Sequence, residues 1–137
     1  MASIRKDISI DASADTVWDA VRDVGRIHTR FVPGFVTDTK LEDGARLVTF
    51  ANGLVVRELI VDLDDETRRL AYAVTGSELM SHHNASFEVI PEGAERCRLV
   101  WIADFLPQEA AEPVGAMMAE GSAIMKATLG AKPAVRA

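Results

Sequence analysis

The chain has 137 residues, a net charge of −6 and a pI near 5.0. Its 48% hydrophobic and 26% charged residues are typical of a globular protein, and its length suits one domain with a single core. The acidic balance and the lack of a basic cluster argue against a nucleic-acid partner and against lysine-mediated binding to a membrane surface.

The N-terminal part is predicted to form one strand and two short helices. Residues 3–10 have a strand pattern, and Ser13 is a typical N-cap for a helix that runs to about Asp23. A second, short helix is expected at 26–30 and is ended by Pro33-Gly34. No long apolar run follows the first basic residues, so we predict no signal peptide, no transmembrane span and a cytoplasmic location.

The middle of the chain is predicted to be a run of antiparallel strands separated by Gly, Asn, Asp and Pro turns. The strands fit near 35–42, 45–51, 54–63, 68–75, 81–90 and 96–105. A meander is the simplest way to connect them. The single cysteine, Cys97, has no partner for a disulfide or a zinc pair, and we expect a buried thiol there.

The C-terminal part is predicted to be one long helix after Pro107, with Pro113 in its first turn and Gly130 beyond its end. Its apolar stripe must lie on the sheet. The stripe contains Val114, Met117, Gly121, Ile124 and Met125. Helices, a sheet and a final long helix together predict an α+β fold.

Several segments resemble the START/Bet v 1 superfamily (SRPBCC), in its polyketide cyclase/dehydrase-like branch. They are Ser-Ala-Asp-Thr-Val-Trp-Asp-Ala-Val-Arg-Asp at 13–23, residues 56–66, Tyr72, the strand end at 101–105 and Ile-Met-Lys-Ala-Thr-Leu near the C-terminus. The resemblance implies a helix-grip fold, in which a seven-stranded antiparallel sheet curls round the C-terminal helix and leaves a cavity. The superfamily includes hormone receptors, lipid carriers and cyclases, so the fold does not fix the function.

Two adjacent histidines occupy the strand near 81–90. Successive strand side chains point to opposite faces, so His83 shares the apolar face with Phe87 while His82 faces solvent. By the resemblance to this superfamily, His83 occupies a position at which many relatives have a tyrosine. The same alternation places Trp101 and Phe105 on the concave face.

Arg46 and Glu58 form a candidate cross-strand pair whose register the turn decides. If the loop has three residues, 51–53, Arg46 lies opposite Glu58 on the neighbouring strand. If the loop has two residues, Arg46 lies opposite Leu59 instead. The resemblance implies that Glu58 faces the cavity, which favours the first register. Such a pair is costly to desolvate unless its groups bond each other or a ligand. The alternative is a solvated pair at the sheet edge.

The remaining charged groups indicate no metal or cofactor site. The acids at 62–66 are expected to be a solvated turn because they lack the spacing of a calcium loop, and His28 is expected on the surface. The sequence contains no glycine-rich phosphate loop, no Ser/His/Asp order and no metal-ligand spacing.

Three functions are compatible with this pattern. The first is binding of a small, mainly hydrophobic ligand with an oxygen function in the cavity. The second is a polyketide cyclase/dehydratase-like enzyme acting on a carbonyl compound, with Glu58 or His83 removing a proton and Arg46 stabilising the oxyanion. The third is a protein-interaction or chaperone-cofactor module, ranked last because the outer face is polar.

The sequence also allows a homodimer formed through an edge strand or a helix. The predicted ligand-binding residues are Arg46, Phe50, Glu58, Tyr72, Met80, His83, Phe87, Trp101, Phe105, Met117 and Ile124.

Overall fold

The computed structural model describes residues 2–130 and gives the following helices and strands. They are β1 (Ala2–Ile10), α1 (Ala14–Val21), α2 (Ile27–Arg30), β2 (Val36–Glu42), β3 (Ala45–Phe50), β4 (Val55–Asp64), β5 (Arg69–Thr75), β6 (His82–Pro91), β7 (Cys97–Leu106) and α3 (Ala111–Leu129). A 3-10 turn at Gln108–Ala110 leads into α3. The predicted strands all exist, with ends that differ by one or two residues.

The seven strands form one antiparallel sheet in the order β1-β7-β6-β5-β4-β3-β2. Strands β2 to β7 are therefore the predicted meander, and β1 pairs along β7. The two short helices span the width of the sheet because they connect one edge strand, β1, to the other, β2. The predicted α+β helix-grip architecture is confirmed.

Helix α1 begins where the sequence predicted and ends earlier. The Ser13 hydroxyl caps it by accepting a hydrogen bond from the backbone N–H of Thr16. The helix ends at Val21 rather than near Asp23, because the backbone N–H of Val24 bonds the Arg22 carbonyl in a tight turn instead of continuing the helical pattern.

Three of the four acids in the turn between β4 and β5 are exposed, as expected, and one of them, Asp65, also contacts α1. Asp65 Oδ1 accepts hydrogen bonds from Trp18 Nε1 and Arg22 Nε, both at 2.8 Å. Both hydrogen bonds lower the pKa of Asp65. Asp64 accepts the backbone N–H groups of Glu66 and Thr67 and so closes the turn.

Helix α3 lies against β1 and the concave face of the sheet. Pro113 is in its first turn and Gly130 follows its end, as predicted. Its buried side is narrower than the predicted stripe, since only Met118, Gly121 and Met125 are buried within the helix. The other stripe residues are half-buried beside this line.

The core lies between the concave face and the three helices. Its fully buried side chains include Ile10, Val17, Leu99 and Phe105. Cys97 belongs to the same core, and burial raises the pKa of its thiol to about 11. The prediction of a buried strand thiol is confirmed.

Candidate functional site

A cavity of about 360 Å³ lies between the concave face of the sheet, α2 and α3. Most of its lining is apolar. The lining residues are Ile27, Phe31, Val32, Phe35, Val36, Arg46, Val48, Phe50, Leu54, Val56, Glu58, Tyr72, Val74, Ser77, Leu79, Met80, His83, Phe87, Trp101, Ala103, Glu109, Ala110, Pro113, Val114, Met117, Met118 and Met125. Nine of the eleven predicted ligand-binding residues are among them.

Small residues in the middle of the sheet leave room for this cavity. Ala85 of β6 pairs directly with Ala103 of β7, and both are buried. The neighbouring pair on the same face, Phe87 and Trp101, is large. The face therefore steps from bulky aromatic rings to two methyl groups, and α3 crosses above this step without filling it.

The β3–β4 hairpin determines which side chains of β4 reach the cavity. The backbone N–H of Phe50 bonds the Leu54 carbonyl at 2.8 Å, and Gly53 turns the loop with a φ of 91°, in the left-handed region that glycine tolerates. The loop is thus the three-residue form. Arg46 opposes Glu58, as the first of the two registers predicted.

Arg46 and Glu58 form a buried ion pair at the cavity wall. Arg46 Nε donates to Glu58 Oε1 at 2.8 Å, and the two side chains are only 4% and 10% exposed. The alternative of a solvated edge pair is therefore wrong. Arg46 Nη1 also lies 3.4 Å from the Val24 carbonyl, and the guanidinium stands 5.4 Å from the centre of the Tyr72 ring.

Tyr72 and Trp101 are joined across the sheet by a hydrogen bond from the Trp101 indole N–H to the Tyr72 hydroxyl, at 3.0 Å. Phe87 lies between the two rings and is stacked on both, with centroid distances of 5.9 and 4.9 Å. Burial, followed by the nearby charge of Glu58, raises the pKa of Tyr72. The phenol is thus neutral at physiological pH, and its own proton is available to a ligand.

His83 points into the cavity and His82 into solvent, which confirms the prediction from strand alternation. His83 is 9% exposed, and its Nδ1 is buried with no hydrogen-bond partner among residues 2–130. Burial lowers the pKa of His83, although the charge of Glu58 opposes this effect. The imidazole is therefore neutral near pH 7 and offers one donor and one acceptor.

Two predicted ligand-binding residues lie outside the cavity lining. Phe105 is fully buried in the core opposite His83, and Ile124 is half-buried against the core farther along α3. Met125 in the second half of the helix lines the cavity, whereas its neighbour Ile124 does not. Strand alternation placed Phe105 on the concave face correctly, but it does not predict which part of that face lines the cavity.

The contribution of α2 and the segment after it was not predicted. Phe31 packs edge-on against Phe87, and Phe35 packs edge-on against Phe50. Their aromatic character on either side of Pro33-Gly34 was the available signal. His28 also departs from its predicted surface position, since it is half-buried with Nδ1 3.0 Å from Thr39 Oγ1.

The described residues contain no group of three or more His, Cys, Asp or Glu side chains arranged as metal ligands. Among residues 2–130, no helix has the length and hydropathy needed to cross a membrane. The polar groups of the cavity are an ion pair, a phenol and an imidazole at one wall of an apolar chamber.

The fold is similar to that of several solved structures over nearly the whole chain. An uncharacterized protein from Bacillus thuringiensis superposes with a TM-score of 0.85 at 15% identity, covering 93% of this chain and 98% of that one. The di-domain ARO/CYC protein BexL of the BE-7585A biosynthetic pathway gives 0.81 at 17% identity, covering 94% of this chain and 46% of that one. Norcoclaurine synthase from Thalictrum flavum, as a point mutant with a transition-state analogue, gives 0.71 at 18% identity, with 93% of each chain covered. The likeness is one of fold.

The family comparison is independent of the shape. No curated protein sequence matches the chain significantly. The model of the family described as polyketide cyclase / dehydrase and lipid transport matches residues 1–131. A match of this length, together with a Bet v 1-like fold, confirms the resemblance stated from the sequence. The chain belongs to the polyketide cyclase/dehydrase and lipid transport family.

Proposed function

We propose that the chain binds a small, mainly hydrophobic molecule with an oxygen function in the cavity between the sheet and α3. The observation that supports this most is the contrast within the cavity. Its walls are mostly apolar, and four of its polar residues, Arg46, Glu58, Tyr72 and His83, form a connected group. Small-molecule sites have this composition, with apolar walls for affinity and a few converging polar groups for orientation.

The size of the cavity and its rim support the same proposal. A volume of about 360 Å³ falls in the range of small-ligand sites. Leu79 and Met80 line the cavity from the loop between β5 and β6, where Leu79 is 62% exposed. An apolar rim that stays in water without a partner is costly, and a hydrophobic ligand entering there would cover it.

The polar group gains from a ligand as well. The unpartnered Nδ1 of His83 leaves a buried polar atom without a hydrogen bond, which costs about 1–3 kcal/mol. A ligand hydroxyl or carbonyl that reached this nitrogen would recover that free energy. Folding alone gives no reason to place an imidazole there, because an apolar side chain would fill the same space without the cost.

The proposal is tested by a fluorescence titration with N-phenyl-α-naphthylamine, a neutral aromatic dye that brightens in apolar sites. Ala103→Phe places a ring in the cavity and should weaken binding at least tenfold, since Ala103 lines the cavity and is buried. Val61→Phe on the outer face, where Val61 is 58% exposed, is the matched control and should bind as the wild type does. Equal binding by folded Ala103→Phe and wild type would place the dye elsewhere and reject the cavity.

A cyclase/dehydratase activity is the second candidate, and the position of two basic groups favours it. Glu58 has a carboxylate oxygen that is not used in the bond to Arg46, and His83 has a neutral imidazole, both at the cavity wall. Either would accept a proton from the carbon next to a ligand carbonyl. The resulting enolate oxygen would be stabilised by the Tyr72 hydroxyl and the Arg46 guanidinium, and its carbon would attack a second carbonyl.

Hydrogen–deuterium exchange at the α-carbon of a neutral aromatic diketone, followed by NMR in D₂O, measures the first step of this chemistry. If the chain catalyses it, Glu58→Gln or His83→Ala should lower the rate on the order of 100-fold with unchanged folding. Uncatalysed exchange in the wild type would reject the enzyme and leave the binding protein. Full activity in both variants would reject the assignment of Glu58 and His83 as the bases.

A further inference from the structure

If the cavity is the binding site proposed above, its charges limit which ligands it can hold. We infer that the cavity selects a ligand whose polar end is uncharged, such as a phenol or a hydroxy-carbonyl compound, and discriminates against ionised carboxylates. The inference separates two groups of hydrophobic ligands that differ in charge, neutral phenolic or ketonic molecules on one side and fatty-acid-like anions on the other.

The first step is the charge balance at the cavity wall. Arg46 is the cation of the lining, and its charge is already neutralised by Glu58 through a buried bond of 2.8 Å. The remaining acid of the lining, Glu109, is exposed at the start of α3 and adds negative charge near the rim. No other residue with a formal charge lines the cavity within the described part of the chain.

An anionic ligand would therefore enter a cavity that has no unpaired cation for it. Burying a carboxylate without a counter-charge costs several kcal/mol even after relaxation. The anion would also have to compete with Glu58 for the guanidinium and so leave the Glu58 carboxylate without its partner. Both routes end with one unpaired negative charge in an apolar chamber, whereas a neutral ligand leaves the ion pair intact.

The second step is the set of hydrogen-bonding groups that the protein leaves free. The Tyr72 hydroxyl accepts from Trp101 and keeps its own proton to donate. The imidazole of His83 offers one donor and one acceptor, and Nδ1 has no partner within residues 2–130. A ligand that both donates and accepts satisfies these groups together. A carboxylate only accepts, so it can bond the Tyr72 hydroxyl and a protonated ring nitrogen but cannot donate to an unprotonated one.

The third step is the shape of the adjoining wall. Five aromatic residues line the cavity beside the polar group, in contact with one another as stacked or edge-on pairs. They are Phe31, Phe35, Phe50, Phe87 and Trp101. Rings of this kind pack well against a planar aromatic ligand, which gains both area burial and favourable ring geometry. A neutral phenol with a fused or substituted ring fits both the wall and the polar group.

Three probes with the same ring system test the inference at pH 7.5: naphthalene, β-naphthol and β-naphthoate. At this pH the phenol is neutral and the carboxylate is ionised. Each is titrated against wild-type protein by displacement of N-phenyl-α-naphthylamine. We expect β-naphthol to bind at least tenfold more tightly than naphthalene, and β-naphthoate at least tenfold more weakly than β-naphthol. Binding of β-naphthoate equal to or tighter than that of β-naphthol would overturn the inference.

Glu58→Gln makes the test sharper because it keeps the shape of the side chain and removes the charge that balances Arg46. The cavity then carries one unpaired cation, and the preference should reverse in favour of β-naphthoate. His83→Phe keeps the size of the ring and removes its hydrogen bonds. It should weaken β-naphthol binding about tenfold relative to naphthalene binding in the same variant. An unchanged preference in folded Glu58→Gln would show that the ion pair does not set the selectivity.

The outcomes also separate this inference from the proposed function. If neither the dye nor any of the three probes binds wild-type protein, the binding function itself fails. If all of them bind and β-naphthoate binds best, the binding function stands and the inference on charge fails. The wild-type comparison alone decides between these outcomes, so the test does not depend on the stability of any variant.

Discussion

Packing alone does not explain why Arg46 and Glu58 are buried. Each side chain is at most 10% exposed, and they meet through one hydrogen bond of 2.8 Å. Transfer of two charges from water into an apolar wall costs as much as, or more than, their mutual attraction returns. A pair of apolar side chains would make a more stable wall, so the ion pair is consistent with a role in selecting a ligand.

The stability of variants at these two positions tests that argument. Arg46→Leu or Glu58→Leu alone should lower the free energy of unfolding by about 3–5 kcal/mol, because each leaves the other charge buried without its partner. The double variant should fall within about 1 kcal/mol of the wild type or exceed it. Urea unfolding of the four proteins measures this. Additive losses in the double variant would show that the two side chains act on stability independently and would contradict this argument.

The sequence predicted a residue's environment correctly when that environment is determined by its neighbours in the chain. Strand alternation is a local property with a period of two, and it oriented His82 and His83 correctly. The register of Arg46 depended on whether the turn has two or three residues, and the sequence alone allowed both. The hydrogen bonds of Asp65 join segments 47 residues apart for Trp18 and 43 for Arg22, and no local pattern reveals a contact of that kind.

At the scale of elements, α3 contains two glycines that the fold does not require. A Cβ built on Gly121 would lie 3.4 Å from the Trp101 ring and 3.5 Å from Phe35, and one on Gly115 would lie 3.5 Å from Ile4. These are ordinary van der Waals distances. Close approach of the sheet would be one reason for a glycine inside a helix, but the helix and sheet leave space for a methyl group at both positions.

Gly121→Ala should therefore raise the free energy of unfolding by about 1 kcal/mol, the difference in helix propensity. Gly53→Ala is the matched contrast, because Gly53 has open space around it but a φ of 91°. That substitution should cost about 1–2 kcal/mol through left-handed backbone strain. Thermal and urea unfolding compare the two. Destabilisation by Gly121→Ala would mean that α3 lies closer to Trp101 than the structure shows.

The elements themselves were predictable because each has a strong local signal. Gly, Asn and Asp turns separate the strands, Ser13 caps α1, and α3 begins and ends near Pro113 and Gly130. The end of α1 was less certain because the tight turn at 22–24 replaces a continuing helix without an obvious breaker. The β-bulges between Val36 and Asp38 and between Ile60 and Asp62 likewise had no sequence signal.

At the scale of the whole molecule, the sheet and α3 enclose a chamber whose existence the resemblance implied and whose extent only the assembled structure defines. The lining leaves out Ile124 and Phe105, includes Met125 of α3 and extends under α2 to Phe31. The lining residues come from segments far apart in the chain, so the extent of the cavity could not be predicted from any one of them.

The two tryptophans provide the most direct test of ligand binding in this chamber. Both indole N–H groups are hydrogen-bonded, Trp101 to Tyr72 within the cavity and Trp18 to Asp65 outside its lining. In a ¹⁵N–¹H NMR titration with β-naphthol, each gives one resolved signal that single Trp→Phe variants assign. We expect a saturable shift of the Trp101 indole signal while that of Trp18 stays in place. A shift of Trp18 alone, or no saturable shift of Trp101 up to the solubility of the probe, would contradict the account.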